Sequence, residues 1–94
     1  CAGIPVEVEA RTIDDVRTLL ELKVDRIMLD NFSLDMMRRA VALVAGRVPL
    51  EASGGITLET VRDVALTGVD YISAGEITHS VRALDISMII EEAR

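Results

Sequence analysis

Residues able to do chemistry recur along this chain just after short β-like runs. Glu9 stands near the end of Val6 to Ala10, and Asp30-Asn31 follow Arg26 to Leu29. Ser53-Gly54-Gly55 follow Val48 to Ala52, and Gly75-Glu76-Ile77-Thr78-His79 follow Tyr71 to Ala74. In parallel α/β folds ligands bind at the carboxyl ends of the strands, so all four groups are expected on one rim. Glycines 54 and 55 can adopt positive φ and let a ligand approach the main chain. Their N–H groups, with the start of the next helix, suit an anion, and Gly75 could add the same on the next strand. The plainer reading of the pair is a tight βα turn. Glu9 and Asp30 could share a divalent cation, because Mg²⁺ takes one or two carboxylates plus substrate oxygens. The plainer reading makes Asp30 a turn cap and Glu9 a solvated rim residue. His79, the one histidine, could act in acid–base chemistry or simply begin a helix.

The elements that must position these groups are legible from periodicity. Ile13, Val16, Leu19 and Leu20 share a helical face. So do Leu34, Met37, Ala40, Val41 and Val44, and then Leu58, Val61, Val64 and Ala65. A fourth helix is expected from about Leu84. Each of the first three opens on a hydroxyl, an aliphatic and an acid: Thr12-Ile13-Asp14, Ser33-Leu34-Asp35 and Thr57-Leu58-Glu59. The hydroxyl caps an orphan N–H and the acid complements the helix dipole. Ala45-Gly46 and Thr67-Gly68 read as helix stops. Four strand–helix units with short connections predict an α/β fold with a parallel sheet, residues 1–94 forming a single domain. Four units are too few for a closed barrel of eight. The chain is therefore expected to be a segment of an incomplete TIM-like barrel, or an open flavodoxin-like sheet if isolated. Glu7 faces the same side as Glu9 but deeper, where a barrel interior would hold it in a polar network. The four methionines are expected in the core, and Arg38-Arg39 on a solvated face.

Bulk properties narrow the classes. The chain has 94 residues, half of them apolar, with only Phe32 and Tyr71 as aromatics, so its core is aliphatic. A net charge of −6 argues against a nucleic-acid partner. Backbone N–H groups and a metal can still hold a phosphorylated small molecule. Cys1 is the single cysteine, which excludes an internal disulfide and fits a reducing, cytoplasmic setting. No stretch is apolar for long enough to cross a bilayer, so no membrane is expected.

Four stretches in register, "VEVEA", "IMLDNFS", "LEASGGIT" and "GVDYISAGEITHSVRALDIS", resemble the C-terminal part of quinolinate phosphoribosyltransferase, also called nicotinate-nucleotide pyrophosphorylase (carboxylating). The resemblance covers nearly the whole chain. It implies conversion of quinolinate and phosphoribosyl pyrophosphate to nicotinate mononucleotide, pyrophosphate and CO₂, with Mg²⁺, in de novo NAD synthesis. It also implies an N-terminal sandwich joined to an incomplete barrel, and a homo-oligomer. By the same resemblance Glu9 and Asp30 lie at the ribose and metal. Ser53, Gly54 and Gly55 bind the 5′-phosphate, Gly75, Glu76 and Ile77 complete that cup, and His79 lies towards the pyrophosphate. The family's Arg, Lys and His residues for quinolinate lie upstream of what is present here. The isolated chain is accordingly expected to be inactive.

The alternative is an excised or engineered α/β module that at most binds phosphate. The opening "CAGIPVEVEA", without an initiator Met, leads to the expectation of a chain cut from something larger, processed or engineered. A generic phosphate-binding barrel enzyme of another pathway fits "LDNFS" and "ITHSVRALDIS" less well. A cut barrel is further expected to expose strand edges and part of an aliphatic face, leaving dimerisation, reordering into an open sheet, or aggregation.

Overall fold

The computed structural model describes residues 5–73 and 81–86. Its elements alternate as the periodicity requires: β1 (Glu7–Ala10), α1 (Ile13–Glu21), β2 (Arg26–Asp30), α2 (Leu34–Val44), β3 (Leu50–Ser53), α3 (Val61–Leu66) and β4 (Tyr71–Ser73). A two-residue strand, β5 (Val81–Arg82), follows, and residues 83–86 are helical. The sheet runs β1-β2-β3-β4-β5, parallel through β4 and antiparallel at β5.

Sequential strand order has a topological consequence. Each crossover steps the same way, so the helices collect on one face. Ala10, Ile27, Leu29, Leu50, Ala52 and Ile72 point from the strands into one buried cluster. Val16 and Leu19 of α1, Met37, Ala40 and Val44 of α2, and Val61 and Val64 of α3 meet them there. This is the winding of a barrel segment. The flavodoxin-like alternative needs helices on both faces and a reversal of strand order, and the described residues have neither.

The opposite face is not aliphatic, contrary to expectation. Glu7, Arg26, Glu51 and Tyr71 project from it, with Glu9, Met28, Asp30, Ser53 and Ser73 nearer the rim. Met28 is thus the one methionine among the described residues that leaves the helix-side core. The edge beyond β4 is covered by β5, an element that its two-residue length hid from periodicity. On the other side Val6 extends β1. Its carbonyl accepts the N–H groups of Asp25 and Arg26 at 2.9 and 3.2 Å, and its N–H donates to Asp25 Oδ2 at 2.6 Å.

Helix boundaries follow the cap chemistry. Thr12 Oγ1 accepts the Asp15 N–H at 3.1 Å, and Asp15 returns the bond in a capping box. Ser33 Oγ accepts the Met36 N–H at 3.2 Å. Ala45 ends α2 in the left-handed region with Gly46 beyond it. Helix α3 departs from expectation by starting at Val61. Thr57 to Thr60 form a separate turn, in which the Thr57 carbonyl accepts both the Thr60 and Val61 N–H groups, at 3.1 and 2.8 Å. Thr60 Oγ1 accepts the Thr57 N–H at 3.0 Å, so Thr57, expected at the helix start, opens a turn closed by the Thr60 hydroxyl instead. Leu58 is left exposed rather than on the apolar stripe.

Candidate functional site

Two neighbouring strand ends are clasped together at the rim. Asp30 of β2 stands in register with Ser53 of β3. The Asn31 N–H donates to the Ser53 carbonyl at 2.8 Å. Asn31 itself has φ +58°, a conformation its short amide tolerates. Gly54 and Gly55 follow at φ +86° and +68°. A Cβ on Gly54 would lie 3.1 Å from Asn31 N and 3.2 Å from Asp30 Oδ1, so the two loops touch through backbone. The N–H groups of Gly54, Gly55 and Ile56 donate no hydrogen bond to another described residue. Because α3 begins six residues past Gly55, the glycine loop offers these donors without a helix terminus directly behind it. On the helix side the same glycines close a small cleft with Phe32, Ser33, Leu34, Met37, Ile56, Thr60 and Val64. Its lining is largely apolar and suits packing rather than an anion.

The carboxylates come together as well. Arg11 Nε lies 3.5 Å from Glu9 Oε1 and 3.8 Å from Asp30 Oδ2. One cationic nitrogen therefore serves both acids. Oxygen donors on adjacent strand ends, open to solvent, have the character that Mg²⁺ accepts. Arg11 was missed in the sequence although its signal was there. Glu7, Glu9 and Arg11 alternate along one strand direction, so the third falls on the face of the first two.

One layer deeper lies the network expected around Glu7. Arg26 Nη1 lies 3.0 Å from Glu51 Oε1 and 3.8 Å from Glu7 Oε2, and its guanidinium carbon sits 3.9 Å from the centre of the Tyr71 ring. Glu51 is only 4% exposed. Burial pushes the Glu7 carboxyl above its ordinary value of 4.5, and Glu51 pushes it further by charge and by their hydrogen bond, while Arg26 pulls it down. A raised value means that the folded state holds the proton more tightly than the unfolded chain. The stability linked to Glu7 is then full below the ordinary carboxylate range and is lost as pH rises through the raised value. Glu7→Gln should remove that loss. Urea midpoints of the variant relative to the native chain are expected to improve as pH rises from the ordinary carboxylate range through the raised value. Parallel pH profiles for the two proteins would contradict this.

Gly75, Glu76, Ile77 and His79 lie outside the described residues, so the rim described here is built from Glu9, Asp30, Ser53, Gly54 and Gly55 together with Arg11 and Asn31. Among the described residues no helix is long and apolar enough to cross a membrane, and no group of three or more metal-ligating side chains gathers. Two carboxylates alone would thus leave most of a cation's shell to substrate and water.

The family model for the quinolinate phosphoribosyl transferase C-terminal domain matches residues 2–89. The chain belongs to this family. Quinolinate phosphoribosyltransferase [decarboxylating] 2, mitochondrial, of Nicotiana glauca is 48% identical over 94% of this chain and 29% of its own length. The probable nicotinate-nucleotide pyrophosphorylase [carboxylating] of Bacillus subtilis is 45% identical over 90% of this chain and 29% of its own. Among solved structures, the nicotinate-nucleotide pyrophosphorylase of Francisella tularensis superposes with a TM-score of 0.77 at 40% identity, over 86% of this chain and 30% of that one. A mandelate oxidase at 16% identity shares the fold alone, with a TM-score of 0.68. The chain thus spans less than a third of the quinolinate phosphoribosyltransferase relatives it matches.

Proposed function

We propose that this chain is the phosphoribose-holding C-terminal part of an enzyme that converts quinolinate and phosphoribosyl pyrophosphate to nicotinate mononucleotide, pyrophosphate and CO₂ in NAD synthesis. The observation that carries the reading is the clasp of Asp30-Asn31 on Ser53-Gly54-Gly55. It puts a carboxylate pair beside a loop whose N–H groups donate to no other described residue. In this reading the N–H groups of Gly54 and Gly55 and the Ser53 hydroxyl bind the 5′-phosphate. Gly75, Glu76 and Ile77 complete the cup from the neighbouring strand, and His79 lies towards the pyrophosphate. Glu9 and Asp30 bind the ribose and would hold Mg²⁺. When bound, that ion supplies positive charge to the departing pyrophosphate. Fixing the phosphate at one end and the ribose at the other orients the anomeric carbon for attack.

The quinolinate half belongs elsewhere in the longer protein. Arg17 and Arg38 pair with Asp14 and Asp35 on their own helices, and Arg47 donates to the Leu43 and Val44 carbonyls. Arg26 is committed to the deep network. These cations are therefore engaged away from the rim, which supports a chain that binds the phosphoribosyl substrate or phosphate without turning it over. A single domain, a homo-oligomeric parent and a cytoplasmic setting complete the proposal. Relatives named for mitochondria and chloroplasts show that this compartment varies within the family.

The test is an amide NMR titration with phosphoribosyl pyrophosphate and Mg²⁺, run beside a coupled turnover assay with both substrates. Saturable shifts at Ser53 to Gly55 and Gly75 to Ile77, without turnover, are the expected result. A dispersed spectrum that ignores the ligand would sink the phosphate site, and turnover above background would sink the division of labour.

A further inference from the structure

We propose that Arg11 is a built-in stand-in for the divalent cation. Its guanidinium partly offsets the charge of the Glu9–Asp30 pair when the metal is away and competes with the metal for that pair. The inference rests on reading Glu9 and Asp30 as cation-holding residues and adds a regulator to them. Three observations support it. First, the contacts have the right place and strength to be exchanged. At 3.5 and 3.8 Å, Arg11 Nε is beyond the 2.7–2.9 Å typical of charge-assisted hydrogen bonds, so it balances charge without locking geometry. Second, its side chain is 75% exposed, and ion pairs in solvent are cheaply broken. Arg26 shows the contrast, bound at 3.0 Å to a buried carboxylate. Third, the base of the arm is fixed while its tip is held only by long contacts to solvent-accessible acids. Asp15 Oδ2 accepts the N–H groups of Arg11 and Thr12 at 3.0 and 3.3 Å, so the α1 cap anchors the backbone of Arg11 at the rim.

Two carboxylates held close repel each other, and a single positive charge relieves this less well than a doubly charged ion. The metal therefore wins, but against a competitor that lowers its apparent affinity. Once displaced, the guanidinium swings from a fixed point beside the site and becomes available to an anion. A metal arriving with a pyrophosphate-bearing substrate would thus bind more favourably than the metal alone, because the freed Arg11 gains a partner.

Mn²⁺ serves as the probe, titrated into the protein and followed by paramagnetic broadening of the Glu9 and Asp30 amides. Arg11→Gln is expected to tighten Mn²⁺ binding about three- to tenfold at low salt, with the gap closing at high salt. Arg11→Lys, which keeps the charge, should stay within about twofold of the native protein. Glu9→Gln combined with Asp30→Asn should abolish the broadening. Equal affinity in the native and Arg11→Gln proteins, with broadening still centred on Glu9 and Asp30, would overturn the role of Arg11 and leave the carboxylate pair standing. Tightening by Arg11→Lys equal to that by Arg11→Gln would overturn it too, since charge would not be the cause. No saturable broadening in any of them would overturn both the inference and the reading beneath it.

Discussion

Replacing Arg26 with methionine is expected to destabilise the protein by about 3–5 kcal/mol, towards the lower end because the arginine side chain is 28% exposed. The cause lies in the partner more than in Arg26. Glu51 has a side chain only 5% exposed and meets Arg26 Nη1 at 3.0 Å. Without that cation the buried Glu51 carboxylate stands beside a second one, the part-exposed Glu7, and Glu51 cannot reach water without deforming the sheet. Methionine also forfeits the stacking of the guanidinium on Tyr71, which draws β4 into the same network. Urea unfolding followed by circular dichroism gives the difference directly. The deficit should shrink as pH falls, since a neutral carboxyl tolerates burial better than a charged one. Pairing Arg26→Met with Glu51→Met should recover most of the loss, because apolar side chains of similar volume replace a buried ion pair at little cost. A single-variant deficit below about 1 kcal/mol would mean that the network is wetter than its geometry implies.

This network also shows where sequence reading stops. The strand-end positions of Glu9, Asp30 and Ser53 follow from period-two alternation and a glycine stop, both local signals. So does the deep placement of Glu7. That Glu7 meets Arg26 and Glu51 depends on strand order and register, which no local pattern encodes. The alternation of Val8 with Glu7 and Glu9 identified two faces, but not which one carries the helices. Sequential order settles that, and with it the polarity of the inner face. Helix α3 illustrates a different failure. Thr57 carried the same signature as Thr12 and Ser33, yet Thr60, three residues on, offers a second hydroxyl. The Thr60 side chain takes the Thr57 N–H and holds Thr57 to Thr60 as a turn of its own. The Thr60 hydroxyl is engaged in that turn, and α3 starts after it at Val61 without a side-chain cap. The anion site read at the glycines counted on the start of the next helix as well as on the loop N–H groups, and with α3 beginning at Val61 only the loop N–H groups stand beside it. Arg11 was obscured for a related reason. It lies one residue past the end of β1, so the alternation that aligns it with Glu7 and Glu9 has to be carried beyond the strand, and its backbone is tied to the helix cap while its side chain is tied to the strand.

The second large effect is expected at the glycine that closes the clasp. Gly54→Ala should cost about 2–3 kcal/mol and weaken binding of inorganic phosphate by more than about tenfold. Part of the cost is conformational, because φ is +86° and an L side chain is strained there. The rest is steric. The new methyl would lie 3.1 Å from Asn31 N and 3.3 Å from Asn31 Cα, which are backbone atoms that cannot step aside as a flexible side chain would. Relief requires the two strand ends to part, breaking the 2.8 Å bond from Asn31 to Ser53 and shifting the backbone that carries the Gly54 and Gly55 N–H groups. Gly46→Ala separates the two contributions. Its φ is +79°, close to that of Gly54, but an added Cβ meets nothing within 4 Å. It should therefore lose about 1 kcal/mol and keep phosphate binding within about twofold of the native protein. Thermal unfolding and a phosphate titration read by amide shifts, run on both variants, decide the matter. If Gly54→Ala binds phosphate as the native protein does, the glycines make a turn and nothing more. If it loses binding while Gly46→Ala does not, the close approach of Gly54 to Asn31 is what aims those N–H groups at the phosphate.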